Sequence, residues 1–246
     1  MIQFLSCMPG CLAIGSVIMA EAKIFGAIPR GTLREAALDR LRNAIVFCDL
    51  LPGTRLVERE LSQSLAVSRT PVREALMALE REGLVTTNSR GWMVVAPCSE
   101  QEIEEIYPLI ANLERFAITL TAPLDTGTQA ALEAIMEAYE LEIGNPRRMV
   151  ELDNRWHWTL LKNCSNRRVL EILNRLKRQA LRYEFAFFNS GNRSAFSLEE
   201  HCAVVDEMKS GNLQAAGRLL EAHWLGSMPS LKAAILEVGL MTRETP

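Results

Sequence analysis

The stretch PGTRLVERELSQSLAVSRTPVREALMALEREGLV, Pro52 to Val85, decides the fold of the front of this chain. It opens on Pro52 and Gly53, which break whatever precedes them. A short helix, about Glu58 to Leu65, follows, and Ala66-Val67-Ser68 makes a tight turn. The pattern then predicts a longer helix from about Arg69 to Glu82. Ser68 stands at its N-cap position, and Pro71 lies in the first turn, where a missing N–H costs nothing. Val72, Leu76 and Leu79 recur at helical spacing and face inward with Leu61 and Leu65, until Gly83 ends the run.

Working outward, Leu33 to Phe47 reads as an amphipathic helix with Leu38, Leu41, Ile45 and Val46 on one side. Downstream, LVTTNSRGWMVVAP (Leu84 to Pro97) reads as two β-strands around a turn at Asn88 to Gly91, with Pro97 as a stop. Three helices and a hairpin make a winged helix-turn-helix. That architecture gives its leftover polar residues a use. Arg69, Thr70 and Arg73 lie at the exposed start of the third helix. Such an end can enter a major groove, where arginine grips guanine O6 and N7 together. Arg90 and Gly91 at the hairpin tip can reach the minor groove or a phosphate, and Arg59 can reach the backbone from the second helix. A single arginine is an ordinary solvated side chain. Four on these elements point to DNA.

Pro52–Val85 followed by RGWMVV (Arg90–Val95) resembles the DNA-binding domain of GntR-family bacterial repressors, over about residues 33–97. The resemblance implies that Arg59, Arg69, Arg73 and Gly91 contact operator DNA. Ala66 stands where many members have glycine in the turn.

Composition agrees with two domains that meet different partners. The chain has 246 residues, 48% hydrophobic and 23% charged, as in ordinary globular proteins. Its net charge of −3 is the opposite sign to that expected of a nucleic-acid binder. However, residues 30–97 carry 10 arginines against 8 acidic residues, whereas residues 98–246 carry 16 basic against 21 acidic. The six cysteines show no repeated C-x-x-C spacing and read as free thiols of a reducing cytoplasm. The first twenty residues are apolar but interrupted by Pro9 and Gly10, and no lysine or arginine precedes Lys23. They match neither a signal peptide nor a spanning helix. They are expected to be a non-structural extension, with Met19 as a candidate start. A weak membrane anchor is the alternative.

From Ser99 onward only helical patterns appear. Ser99 and Glu102 have capping-box spacing. Further helices are predicted over about Thr128–Ile143, Pro146–Asn163, Arg167–Phe188, Leu198–Lys209 and Leu213–Glu237, giving a six-helix bundle. All three histidines fall here. Asp153 and His157 are i and i+4, one above the other on a helix face. His201 lies ten residues before Gly211 and His223 eleven after Asn212. In an antiparallel hairpin those distances bring both to about one height. A lone histidine is more often a satisfied core or surface residue. Three at matched heights beside a carboxylate suit a divalent metal: Zn²⁺ first, or Ni²⁺ or Mn²⁺. Trp156 and Trp158 are read as packing.

LDNRWHWTLLKNCSNRRVLEIL (Leu152–Leu173) and EEHCAVVDEMKSGNLQAAGRLLEAH (Glu199–His223) resemble the FCD effector-binding domain of the FadR subfamily, over about residues 100–237. The resemblance implies the ligand set Asp153, His157, His201 and His223. Ile110 stands where many members have arginine.

The expectation is a mainly α protein: an extension (1–29), a winged helix-turn-helix (30–97) and an antiparallel helical bundle (98–240). It would act as a cytoplasmic transcription repressor, a homodimer on operator DNA with no membrane association. A small organic acid would reach the metal through oxygen, while Arg178 and Arg182, i and i+4 on one helix, meet a second carboxylate. The competing readings are a constitutive regulator with a structural metal and a metal-dependent hydrolase. Against the hydrolase, no general base is apparent beside the ligands.

Overall fold

The computed structural model describes residues 30–190 and 194–240. The expected N-terminal extension, with Met19, lies outside the described residues. Among those described, nine helices and one two-stranded antiparallel sheet follow in the order α1 (Arg30–Val46), α2 (Glu58–Ser64), α3 (Arg69–Glu82), β1 (Val85–Thr87), β2 (Met93–Val95), α4 (Glu100–Thr119), α5 (Thr126–Leu141), α6 (Pro146–Leu160), α7 (Arg167–Asn189), α8 (Ser194–Lys209) and α9 (Leu213–Glu237).

Two separate apolar cores form. In the first, Ala37, Leu41 and Ile45 of α1 meet Val72, Ala75, Leu76 and Leu79 of α3, and Val85 and Val95 close it from the hairpin. Leu61 and Leu65 pack at its edge. The strands pair Val85 with Val95, Thr86 with Val94 and Thr87 with Met93. A third extended piece, too short to show a sequence period, completes this layer. Arg55 bridges Val94, the Gly53 N–H donates to the Val95 carbonyl at 2.9 Å, and the Val95 N–H donates to the Thr54 carbonyl at 3.0 Å.

Local chemistry sets the helix ends. Gly83 closes α3 at φ +80°, the left-handed conformation that glycine tolerates best. It is also a close approach: a Cβ there would sit 2.4 Å from the Gln179 side-chain nitrogen of α7. Ser68 occupies the N-cap position of α3, but its side chain makes no capping bond, contrary to expectation. Ser99 does cap α4, accepting from the Glu102 N–H at 3.1 Å. Asp125, Asn145, Asn166 and Asn212 each accept a backbone N–H of the following helix. The Asp125 cap starts α5 at Thr126. Helix α6 stops at Leu160 instead of running to Asn163, and Thr121 bridges Cys164 in the turn that follows.

The second, larger core lies inside the six helices α4–α9. Helix α9 packs along α4 and α8, and α7 lies against α4, α6 and α9. Helix α7 also touches α1 and α3 of the winged domain, so it belongs to both halves. Among the described residues, Cys48, Cys98, Cys164 and Cys202 are free thiols, and no helix is long and apolar enough to cross a membrane.

Candidate functional site

Two surfaces of different kind emerge. On the winged domain, Arg59, Arg69, Thr70, Arg73, Arg90 and Gly91 are all exposed. Arg69 and Thr70 begin α3, and Arg73 follows one turn later, held by Glu58 through bonds of 2.8 and 2.9 Å. The wing tip is shaped by Asn88, whose side-chain oxygen accepts the N–H groups of Arg90 and Trp92, both at 3.0 Å. Gly91 turns there at φ +73°. The Arg55 guanidinium stacks 3.9 Å from the Trp92 ring centroid, and Arg90 lies 5.5 Å from it. Arg55 therefore adds a cation beside the wing that reading the sequence missed.

The second site is buried. Asp153 and His157 on α6, His201 on α8 and His223 on α9 converge, with one ligand-capable atom from each within 4.8 Å of the others. The α8–α9 hairpin turns at Gly211 (φ +81°), and the His201 and His223 ring centroids lie 5.0 Å apart. Trp156 stacks on His201 at 3.7 Å between centroids with an interplanar angle of 13°. Its packing thus fixes the orientation of a ligand ring.

Glu114 of α4 is the organising group. Its carboxylate is fully buried and accepts from His157 Nδ1 at 2.8 Å, Lys177 Nζ at 2.7 Å and Trp224 Nε1 at 2.7 Å. Burial pushes this carboxyl up, but the charges and hydrogen bonds of His157 and Lys177 outweigh it and hold it well below the usual carboxylate range. Burial in turn lowers His157, against the pull of Glu114. A ring that donates from Nδ1 to Glu114 presents Nε2 as its other nitrogen. That Nε2 and the Nε2 of His201 are buried without a hydrogen-bond partner. Burial, with His223, His157 and Lys177 nearby, holds His201 well below the usual histidine range. Glu200 accepts from His223 Nδ1 at 2.7 Å in the same way as Glu114 from His157. Imidazole nitrogens around a carboxylate, with the second nitrogens of His157 and His223 held by Glu114 and Glu200, are the donor set a divalent cation takes. Asp153, His157, His201 and His223 fit such an ion.

Comparison with known proteins agrees with both halves. Residues 32–95 match the family described as bacterial regulatory proteins, gntR family, and residues 105–226 match the FCD domain. The chain is 33% identical over 132 residues to an HTH-type transcriptional regulator from the ttuE-ttuC' intergenic region of Agrobacterium vitis, covering 51% of this chain and 77% of that one. The chain belongs to the GntR family. Its helical half places it with the FadR-type members. It is similar to the HTH-type transcriptional repressor GlaR of Escherichia coli, at 27% identity over 210 residues, 79% of this chain and 94% of that one. A solved GntR transcriptional regulator from Rhodococcus sp. RHA1 matches with a TM-score of 0.68 at 25% identity, over 82% of this chain and 98% of that one. These relatives are DNA-binding regulators of transcription, and so is this protein.

Within this GntR regulator, the structure moves two predicted residues away from the buried site. Arg178 donates to Glu82 at 2.5 Å, and Arg182 to the Ala96 carbonyl at 2.8 Å and to Glu102 at 2.5 Å. Both guanidiniums are used at the seam with the winged domain, and neither lines the cavity beside the histidines. Helical spacing correctly put them on one face, but that face looks at the other domain. The seam continues through Gln179, which donates to the Glu82 carbonyl at 2.9 Å, and Arg147, which meets Asp49 at 2.6 Å. At the buried site the residues missed were Glu114, Lys177, Glu184 and Glu200.

Proposed function

We propose that this protein is a ligand-responsive repressor that binds a short pseudo-palindromic operator as a homodimer. Arg59, Arg69, Thr70, Arg73, Arg90 and Gly91 would make the DNA contacts, and the bundle would hold one divalent metal ion. One winged domain reads few base pairs, and two-fold protein symmetry calls for a two-fold site. The ligands are Asp153, His157, His201 and His223, and Zn²⁺ suits the three-imidazole, one-carboxylate set, with Ni²⁺ or Mn²⁺ as alternatives. The metal would supply a Lewis-acidic anchor for an oxygen donor of a small organic acid. The observation that carries this reading is the pair of buried Nε2 atoms, on His157 and His201, that have no hydrogen-bond partner. An unpaired buried polar atom is costly, and a cation satisfies both.

A responsive regulator is favoured over a constitutive one by helix α7. The same helix carries Glu184 and Phe188 at the cavity and Arg178, Gln179 and Arg182 at the winged domain. A ligand that moves one side of α7 has a mechanical route to the other. An effect on operator affinity requires that the ligand prefer one domain arrangement. The usual size of such coupling is about 1–3 kcal/mol.

The test is elemental analysis of chelator-free protein together with operator binding. About one equivalent of a transition metal per protomer is expected, lost in His201→Ala. Under a tenth of an equivalent in the wild type would count against the metal. Operator affinity unchanged by any small acid would leave a constitutive regulator.

A further inference from the structure

Beside the histidine cluster lies a small cavity lined by Tyr107, Asp153, Glu184, Phe188, His223 and Trp224, among others. Its charge is unexpected for a protein thought to receive an acid. Glu184 and Glu200 both line it, and none of its lining residues is a lysine or arginine. Glu184 is only 7% exposed, and both of its carboxyl oxygens are buried without a hydrogen-bond partner. The Tyr107 hydroxyl, fully buried on the same wall, also has none. The nearest buried cation, Lys177, donates to Glu114 instead.

An unpartnered carboxyl in an aromatic-walled cavity is costly unless a ligand satisfies it. A second carboxylate placed there would meet like charge and no cation. An ammonium would meet the Glu184 carboxyl in a cavity that Tyr107, Phe188 and Trp224 also line.

We infer that the effector is a small amino acid or similar amino-bearing acid, with its oxygen donors toward the histidine cluster and its ammonium held by Glu184 and the Tyr107 hydroxyl. This rests on the proposed function, because it deepens the identity of the ligand at the same metal-side cavity. It replaces a dicarboxylate as the ligand class.

The experiment uses the full chain as purified, with its metal content measured, and titrates matched pairs: glycine against acetate, L-alanine and β-alanine against propionate, and 4-aminobutyrate against butyrate, with succinate as the dicarboxylate. At least one amino acid should bind about tenfold or more tightly than its des-amino partner, the scale of one charge-assisted hydrogen bond. Glu184→Gln, which keeps size and removes charge, should erase that ratio while leaving metal content unchanged. Measuring the ratio in the wild type does not depend on the variant folding. Equal affinity within each pair, or tightest binding by succinate, would overturn the inference while leaving a metal-side acid site standing. No binding by any probe to metal-loaded protein would overturn both, and absence of metal would locate the failure in the proposed function.

Discussion

The winged domain keeps the side chains assigned to its partner on the outside, and the helical domain keeps them within. Arg59, Arg69, Arg73 and Arg90 are exposed around a core that contains no charged residue. In the bundle, Glu114, Asp153, His157, Lys177, Glu184 and His201 are all buried. The difference follows from the size of what is bound. DNA is read from outside by groups that water also solvates, so such a surface adds little strain to the fold. A metal or a molecule of a few atoms must be surrounded, and surrounding it removes charged groups from water. The bundle's stability is then tied to its site, whereas the winged domain's is not.

The strongest way to break this contrast is at Glu114. Replacing it with glutamine leaves Lys177 buried without its anion and removes the acceptor of His157 and Trp224. Breaking a buried pair by neutralising one partner costs about 3–5 kcal/mol. Chemical denaturation should show that loss in the bundle, with the winged domain's transition unmoved. A loss below 1 kcal/mol would mean that the network contributes little, and the contrast between the domains would fail.

Metal removal comes next. An ion bound only by the folded bundle, present at a hundred times its dissociation constant, stabilises it by about 3 kcal/mol. Treatment with a chelator should lower the bundle's melting temperature, and returning Zn²⁺ should restore it. His157→Ala protein should show no difference between the two conditions. A wild-type melt indifferent to chelator would remove the ion from the stability argument.

Much of this contrast was already present in the sequence, and where it was not the reason is specific. Helix α3 was legible to the residue because Pro71 and Gly83 bracket an apolar stripe, and the metal-type cluster was legible because i, i+4 spacing and a short hairpin constrain heights. The supporting charges carried a signal that went unread. Glu114 continues the buried series Ile103, Tyr107, Ile110 of α4, and Lys177 and Glu184 continue Val169, Leu173 of α7. A charge at a core position of a helical stripe is a site candidate in its own right. Arg178 and Arg182 were misread for another reason: periodicity names a face, and only tertiary packing names its neighbour.

On the winged domain the expected effects are smaller and appear in a different observable. Arg69→Ala should weaken operator binding by about 1–3 kcal/mol and relax one half-site position. Because Arg69 is exposed and outside the core, the variant's melting curve should overlay the wild type's. A stability change as large as the affinity change would show that the exposed arginines also hold the fold.

The smallest effect concerns the turn between α2 and α3, where the winged domain does carry strain, in its backbone. Ala66 adopts φ +54°, a left-handed conformation that an L-residue with a Cβ resists. That conformation costs alanine roughly 1–2 kcal/mol relative to a right-handed one. Glycine avoids most of this, although it gives the unfolded chain more freedom, which offsets roughly 0.4–1 kcal/mol. Ala66→Gly should therefore stabilise the winged domain by about 0.5–1 kcal/mol, seen as a higher denaturation midpoint at unchanged slope. The bundle's transition and metal content should not respond. Because this variant acts on backbone geometry alone, a gain confined to the winged domain would mark the turn as a source of strain that involves neither a buried charge nor a metal. A loss of stability would show that the turn does not rely on a left-handed residue at this position.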